Sequence, residues 1–299
     1  MAGRLKPLVL PLPGNGDLAS RLASRLDADL GAATVRRFPD GESYVRLETD
    51  VDGRSLALVC TLDRPDDKVL PLYFVAATAR ELGAARVGLV APYLAYMRQD
   101  TRFQPGEGIT SAQFARLLSS AVDWLVTVDP HLHRVGALTD IYRVPATAVA
   151  AAPAIAAWLR ANVDAPLVIG PDSESVQWAR AVAEMADAPH VVLSKVRRGD
   201  RDVEVSVPDV ARWRGRTAVL VDDIISTAGT MIEAVGHVRR AGLVDPVCVG
   251  VHAVFASDAY SELLAAGAAR VVTCDTVLHA SNAIALDEPV AAAVRPFLA

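Results

Sequence analysis

The stretch Thr217–Thr230, TAVLVDDIISTAGT, decides the fold. An apolar run, Thr217–Val221, meets two adjacent aspartates, Asp222 and Asp223, then a Ser/Thr/Gly turn and an apolar helical pattern from Met231. A continuous apolar run reads as a strand buried on both faces, and a strand feeding directly into a helix is the unit of a parallel sheet. The turn opens a helix N-terminus, where unpaired backbone N–H groups and the helix dipole favour an anion. Ser226, Thr227 and Thr230 add hydroxyl donors, Ala228 lies inside the turn, and Gly229 lets a phosphate approach the backbone. Asp222 and Asp223 cannot bind that phosphate, but they can accept hydrogen bonds from a sugar diol beside it. An ordinary capped helix accounts for Thr227 alone and does not need two acids at a strand end.

Working outward, short aliphatic runs alternate with Ala- and Leu-rich helical patterns. Further strands are expected at Leu56–Cys60, Arg86–Ala91, Trp124–Val128, Leu167–Ile169, Val191–Ser194, Val247–Ala253 and Arg270–Cys274. Helices are expected at Asp67–Leu82, Ser111–Ala121, Ala152–Ala161, Ser175–Met185 and Gly229–Ala241. This alternation predicts an α/β architecture. Acids close strands in both halves, at Asp129, Asp172 and Asp222, a hint of two similar lobes. A boundary is expected near Tyr142–Thr147. Thr101–Gly108, with Pro105, Gly106 and Gly108, predicts a mobile loop, and Arg197–Asp202 a charged one joined to a VEVSV strand, Val203–Val207.

Composition narrows the class. The chain has 299 residues, 52% of them hydrophobic but only 5% aromatic, so small aliphatics carry the core. Net charge is −5 and the isoelectric point about 5.7, which argues against general nucleic-acid binding. Cys60, Cys248 and Cys274 have no paired spacing for a disulfide framework or zinc site and suit a reducing cytosol. The longest largely apolar run, Ala146–Leu159, is broken by Pro153 and falls short of the roughly 20 residues a membrane helix needs. Arg4 and Lys6 are followed by Pro7, Pro11 and Pro13, which interrupt any signal-peptide core. No membrane or nucleic-acid partner is expected, and a cytoplasmic enzyme leads.

The 217–230 segment closely resembles the 5-phosphoribosyl-1-pyrophosphate (PRPP) loop shared by phosphoribosyltransferases and PRPP synthetases. Other segments choose the synthetases. Phe38-Pro-Asp40-Gly-Glu42 with Tyr44-Val-Arg46 resembles their adenine hairpin, and Pro92-Tyr-Leu-Ala-Tyr-Met-Arg98-Gln99-Asp100 their ATP-contacting segment. Asp129-Pro-His131 and Gly170-Pro-Asp172 resemble their D-x-H motif and the start of their pyrophosphate loop, and Lys195-Val-Arg197 falls at their catalytic flexible loop. His133 has no such support and reads as a solvated neighbour. The matches run in family order from residue 38 to 230, and no Walker-type G-x-x-x-x-G-K-[ST] occurs.

The resemblance implies two similar phosphoribosyltransferase-type α/β lobes, each a mainly parallel sheet flanked by helices. They would comprise residues 1–145 with the ATP-side contacts and 146–284 with the ribose 5-phosphate loop and flexible loop. A tail, 285–299, would pack back on the N-terminal lobe. Implied substrates are ATP and ribose 5-phosphate. Phe38, Asp40, Glu42, Arg98, Gln99, Asp100 and His131 would hold ATP, and Asp222, Asp223, Ser226, Thr227, Ala228, Gly229 and Thr230 the sugar phosphate. His131 and Asp172 would ligate Mg²⁺, with Lys195 and Arg197 catalytic. The family's adenine hairpin reaches a neighbouring subunit, which implies a homodimer or larger homo-oligomer.

The chain departs from the family at Asp172-Ser173-Glu174-Ser175, where a small residue and two glycines usually follow the aspartate. Arg102-Phe-Gln-Pro-Gly-Glu107 is closer to archaeal- or plant-type branches than to the common bacterial enzymes. Two other readings follow: a catalytically silent regulatory paralogue, from the altered loop, and a PRPP-consuming phosphoribosyltransferase, from the shared loop alone.

Overall fold

The computed structural model describes residues 5–132, 134–198, 202–206 and 210–298, with backbone placement alone for 194–198, 202–206, 210 and 211. The chain divides into two units, Met1–Val149 with Asp287–Ala299, and Ala150–Leu286.

In the first unit the elements run β1 (Leu8–Pro11), α1 (Gly16–Leu26), β2 (Asp29–Leu30), β3 (Ala33–Arg37), β4 (Ser43–Leu47), β5 (Ser55–Val59), α2 (Asp66–Glu81), β6 (Arg86–Ala91), α3 (Thr110–Ala121), β7 (Leu125–Val128) and β8 (Ala146–Val149). The second holds α4 (Ala152–Asn162), β9 (Pro166–Gly170), α5 (Val176–Ala186), β10 (His190–Val192), β11 (Ser194–Arg198), β12 (Asp202–Ser206), β13 (Thr217–Ile225), α6 (Gly229–Arg240), β14 (Val247–Ala253), α7 (Ala259–Ala265), β15 (Arg270–Cys274) and β16 (Asn282–Ile284). Helix α8 (Asp287–Leu298) returns to the first unit.

The two units repeat one topology. Their six-stranded parallel sheets run β2-β1-β5-β6-β7-β8 and β10-β9-β13-β14-β15-β16, and each has a separate antiparallel hairpin, β3–β4 or β11–β12, at the same point in the order. The repeat extends to local detail. Helices α1 and α5 both end on an aspartate in the left-handed conformation, Asp27 and Asp187. The following alanine N–H then bonds back to a helix carbonyl, Ala28 to Ala23 and Ala188 to Ala183, closing each helix as a C-cap motif does. The fold class follows the expectation of two α/β lobes, although Asp129, Asp172 and Asp222 fall on or just after strands that are not equivalent in the repeat, β7, β9 and β13.

The last helix of each repeat is exchanged. Helix α4 follows β8 yet packs on α5 and β16, while α8 follows β16 yet packs on α1, β5, β7 and β8. Buried Asp287 fixes α8 through Arg25 and through Arg21 at 3.4 Å, and Phe297 stacks on buried Trp124 at 5.0 Å. Core strands β5, β6, β7, β9 and β13 carry residues such as Leu56, Leu58, Leu89, Leu125, Val168 and Leu220 that are wholly buried, as strands covered on both faces require. Among the described residues no helix is long and apolar enough to cross a membrane.

Three boundaries differ from the sequence reading. Strand β13 continues through both aspartates to Ile225, because Asp222, Ile224 and Ile225 keep pairing with Gly250, His252 and Ala253 of β14. The run expected at 191–194 divides into β10 and the start of β11, since Leu193 bonds back to Gly170 and pairing then passes to β12. Residues 146–149 still belong to the first sheet, as β8 pairing with β7.

Candidate active site

In an open parallel sheet, ligands bind outside the carboxyl ends of the strands where the connections diverge. In the second unit that point lies between β9, whose connection leads outward to β10, and β13, whose connection leads the other way to β14. The chain places Asp172 just beyond β9, and Asp222, Asp223 and the 226–230 turn at the end of β13. This gathers the sequence-expected sugar-phosphate residues at one sheet edge.

The turn opens directly into a helix N-terminus. Ala228 takes the left-handed conformation (φ 58°) and its carbonyl accepts from Ile232 N–H at 2.8 Å, so α6 begins at Gly229. Among the described residues no side chain makes a cap hydrogen bond to that N-terminus. A Cβ built on Gly229 meets nothing nearer than Thr227 Oγ1 at 3.9 Å, leaving open space over the first helical N–H groups. Ser226 and Thr230 are half-buried and Thr227 exposed.

Asp223 is buried, and its N–H donates to Asp222 Oδ1 at 3.0 Å. Burial, then the charges of Asp223 and Asp172, push the Asp222 carboxyl up to about 8. Three carboxylates therefore share one strand-end region, an environment that favours bound hydroxyls or a cation over a third free negative charge.

The departure at 172–175 has a structural consequence. Asp172 Oδ1 accepts the N–H of Glu174 at 3.0 Å and of Ser175 at 3.1 Å, while Ser175 Oγ donates to Asp172 O at 2.7 Å. Ser175 is buried against Gly170, where an added Cβ would stand 2.6 Å from Ser175 Oγ. Of the two positions where the family has glycine, Ser175 contributes its hydroxyl to this turn, and the backbone N–H groups of both bond to Asp172. Nothing in the local sequence announced that self-capping except Asp and Ser three residues apart.

Lys195 and Arg197 stand two residues apart on β11, opposite Val205 and Val203 of β12. Their side chains, like His133 and Arg201, lie outside the described residues.

In the first unit, Phe38, Asp40 and Glu42 form the tip of the β3–β4 hairpin. Phe38 N–H bonds to Glu42 O at 2.8 Å, Gly41 supplies the positive φ of 93°, and Asp40 Oδ1 accepts Glu42 N–H at 3.1 Å. Arg36, directly across from Tyr44, sits 4.6 Å from the Phe38 ring and 4.4 Å from the Tyr44 ring. Sequence reasoning missed Arg36; alternation along the strand, which puts 36 and 38 on one face, was the available signal. An Arg37–Asp67 ion pair of 2.7 Å ties the hairpin to α2.

Arg98 is exposed, whereas Gln99 accepts from Thr110 Oγ1 at 3.0 Å. The Asp100 side chain is 3% exposed and pairs with Arg134 at 2.9 Å, so it positions its neighbours within this chain. Within the 101–108 loop the Glu107 carboxylate accepts the N–H groups of Phe103 and Gln104. His131 is half-buried just after β7, beside Asp129 at φ 32°. It belongs to the first unit and Asp172 to the second.

The first unit's counterpart of the 226–230 turn, after β5, is filled by its own side chains. Thr61 N–H donates to buried Asn15 Oδ1 at 2.9 Å, and Lys68 bonds to Thr61 O at 3.1 Å and pairs with Asp63. The duplicated fold therefore keeps its open anion turn in the second unit.

Residues 8–121 match the family model for the N-terminal domain of ribose phosphate pyrophosphokinase, and 138–289 that for the phosphoribosyl transferase domain. The chain is 37% identical to the ribose-phosphate pyrophosphokinase of Methanopyrus kandleri over 291 residues, covering 96% of this chain and 98% of the relative. It is 35% identical to that of Halobacterium salinarum, covering 87% and 90%. The crystal structure of phosphoribosylpyrophosphate synthetase from Mycobacterium smegmatis superposes with a TM-score of 0.84 at 25% identity, covering 98% of this chain and 99% of that one. Sequence along nearly the whole length and the paired α/β lobes agree: the chain belongs to the ribose-phosphate pyrophosphokinase (PRPP synthetase) family.

Proposed function

We propose that the protein is a ribose-phosphate diphosphokinase, forming PRPP and AMP from ribose 5-phosphate and Mg·ATP. The observation that carries this is the open N-terminus of α6 with Asp222 and Asp223 on the strand feeding it. The backbone N–H groups of 226–230, with the hydroxyls of Ser226, Thr227 and Thr230, would hold the 5-phosphate. Asp222 and Asp223 would accept from the ribose hydroxyls, and Phe38, Asp40, Glu42, Arg98 and Gln99 would hold the nucleotide.

The anomeric oxygen then attacks the β-phosphorus in line. The bond from that phosphorus to the oxygen of the α-phosphate breaks, AMP leaves, and the hydroxyl proton passes to solvent. Lys195 and Arg197 would stabilise the charge that spreads over the transferring group, the main means of catalysis in phosphoryl chemistry. No covalent enzyme intermediate is needed. Buried Cys60 and Cys248 have thiols pushed up to about 12 by burial, which suits core packing, not nucleophilic chemistry.

The donor set suits magnesium carried on the nucleotide. Among the described residues no group of three or more His, Cys, Asp or Glu is arranged to hold a metal alone. Magnesium commonly takes one or two protein ligands and fills its shell with substrate phosphates and water. Burial and then the charges of Asp223 and Asp172 raise Asp222, and a cation would relieve that charge. Asp172 is the residue of this unit proposed to meet it.

The self-capped Asp172–Ser175 turn favours a second reading, a catalytically silent nucleotide-binding paralogue. AMP release that requires both ribose 5-phosphate and ATP supports the synthetase. Nucleotide binding without AMP supports the paralogue, and PRPP consumption with a free base and no ATP supports a phosphoribosyltransferase.

The protein is also proposed to be a homo-oligomer. Helix α2 buries Leu72, Val75, Ala76 and Ala79 on the sheet, yet its outer face carries Leu70, 54% exposed, and Tyr73, 39% exposed. With Leu117 and Phe114 of α3 these line an apolar groove of about 580 Å³. A helix apolar on both faces is covered on both, here by a second copy. Light scattering should give a dimer or larger assembly, and Leu70→Glu should shift it towards the monomer; a monomeric, fully active wild type contradicts this.

A further inference from the structure

We infer that Phe255, backed by His279 and Tyr260, is a positioning element for the sugar-phosphate turn, acting through the backbone of Ala256. The inference rests on the assignment of 226–230 to ribose 5-phosphate.

The carbonyl of Ser226, first residue of the turn, accepts the N–H of Ala256 at 3.2 Å. Ala256 lies in the short connection between β14 and α7, a segment held in an unusual conformation by Ser257 at φ 49°. Its neighbour Phe255 is fixed by rings. The Phe255 centroid lies 4.6 Å from that of His279 and 5.4 Å from that of Tyr260, and Tyr260 and His279 are 4.9 Å apart. Three mutually touching rings define a position more tightly than one apolar contact does.

His279 is itself held by a hydrogen-bonded post. Its Nδ1 accepts the N–H of Ser281 at 3.1 Å and lies 2.8 Å from Ser281 Oγ. Ser281 Oγ is 2.8 Å from Thr273 Oγ1, which accepts from Asn282 Nδ2 at 2.9 Å. Thr273 and Ser281 are buried, and the His279 N–H donates to Asn282 Oδ1 at 2.9 Å. Partial burial pushes the imidazole below its usual value, which favours the neutral ring. The line of force runs from β15 through the His279 ring and Phe255 to Ala256 N–H and the Ser226 carbonyl.

The duplicated unit supports a loop-to-loop coupling of this kind. There the turn after β5 bonds to the segment after β6, with Leu62 N–H donating to Tyr93 O at 2.9 Å. The same two connections are tied in both units. Only in the second is the tied turn open to an anion.

The test is calorimetric titration of the full-length protein with ribose 5-phosphate, together with steady-state kinetics, for wild type, Phe255→Leu, His279→Ala and His279→Phe. Phe255→Leu and His279→Ala should each weaken ribose 5-phosphate binding and raise its KM about five- to tenfold. The KM for ATP should stay within about twofold. His279→Phe keeps a ring against Phe255 and should recover most of the loss. Unchanged ribose 5-phosphate affinity in folded Phe255→Leu, equal losses for both substrates, or no recovery in His279→Phe would overturn the inference. If wild type itself does not bind ribose 5-phosphate, the substrate assignment falls, and the positioning role falls with it.

Discussion

Lys195→Ala should lower kcat by about 10³-fold while leaving the KM values for ribose 5-phosphate and ATP within a few-fold. The proposed contact forms with charge that develops as the bond from AMP to the β-phosphorus breaks. Its loss therefore falls on the transition state and spares ground-state binding. Lys195 sits on a hairpin separate from the main sheet, so its removal should leave the core intact. A variant with normal circular dichroism, near-normal KM and collapsed kcat is the expected result. Equal losses in kcat and in substrate affinity would instead make Lys195 a binding residue, and Arg197 would become the leading catalytic group.

Asp222→Asn should trade activity for stability. In the folded protein the Asp222 carboxyl keeps its proton up to about pH 8, against an ordinary value of 3.8. The native state thus binds more protons than the unfolded chain across that window. Stability contributed by this group is present below about pH 4 and is lost as pH rises towards about 8. Asparagine cannot ionise, so the variant's advantage over wild type should widen by about 1.4 kcal/mol per pH unit between about pH 5 and pH 8, measured by urea denaturation. The same change removes an acceptor from the proposed ribose contacts and should weaken ribose 5-phosphate binding at least tenfold. Parallel stability curves would mean that Asp222 ionises freely and that the three carboxylates do not crowd.

Much of this was legible in the sequence because the informative features are local. An apolar run into Asp222-Asp223 and then Ser226–Thr230 specifies strand, turn and helix within fourteen residues. Phe38–Glu42 likewise specifies a hairpin tip, with Gly41 where positive φ is required. Features set by distant pairing were not legible. Strand β13 outruns the apolar pattern because β14 continues beside it. Strand β1 was hidden between Pro7 and Pro11, prolines tolerated where the strand begins and ends. The return of the C-terminal segment to the first unit followed from the family resemblance alone, and neither it nor the exchange of α4 leaves a local trace. It depends on which surface each apolar stripe meets, such as Phe297 against Trp124. The exposed hydrophobes of α2 looked like any helical pattern until the fold assigned Leu72 inward and Leu70 outward.

The duplication gives the site a physical rationale. Both units build the same crevice beside the central strand, but only one leaves its turn open. Asn15, Lys68 and Asp63 fill the first, so its polar groups are satisfied from within the chain. In the second, among the described residues, the helix N-terminus over Gly229 has no side-chain cap. The crowded carboxylates beside it carry an energetic cost at neutral pH, as functional sites commonly do.

Phosphorus NMR of the purified protein with ribose 5-phosphate, Mg²⁺ and ATP, without added phosphate, tests the central claim most directly. The account predicts new resonances of a diphosphate on the anomeric carbon, growing in step with AMP and absent when ribose 5-phosphate is omitted. ATP that stays intact, with or without added phosphate, would contradict it and would make the self-capped Asp172–Ser175 turn the mark of a silent paralogue.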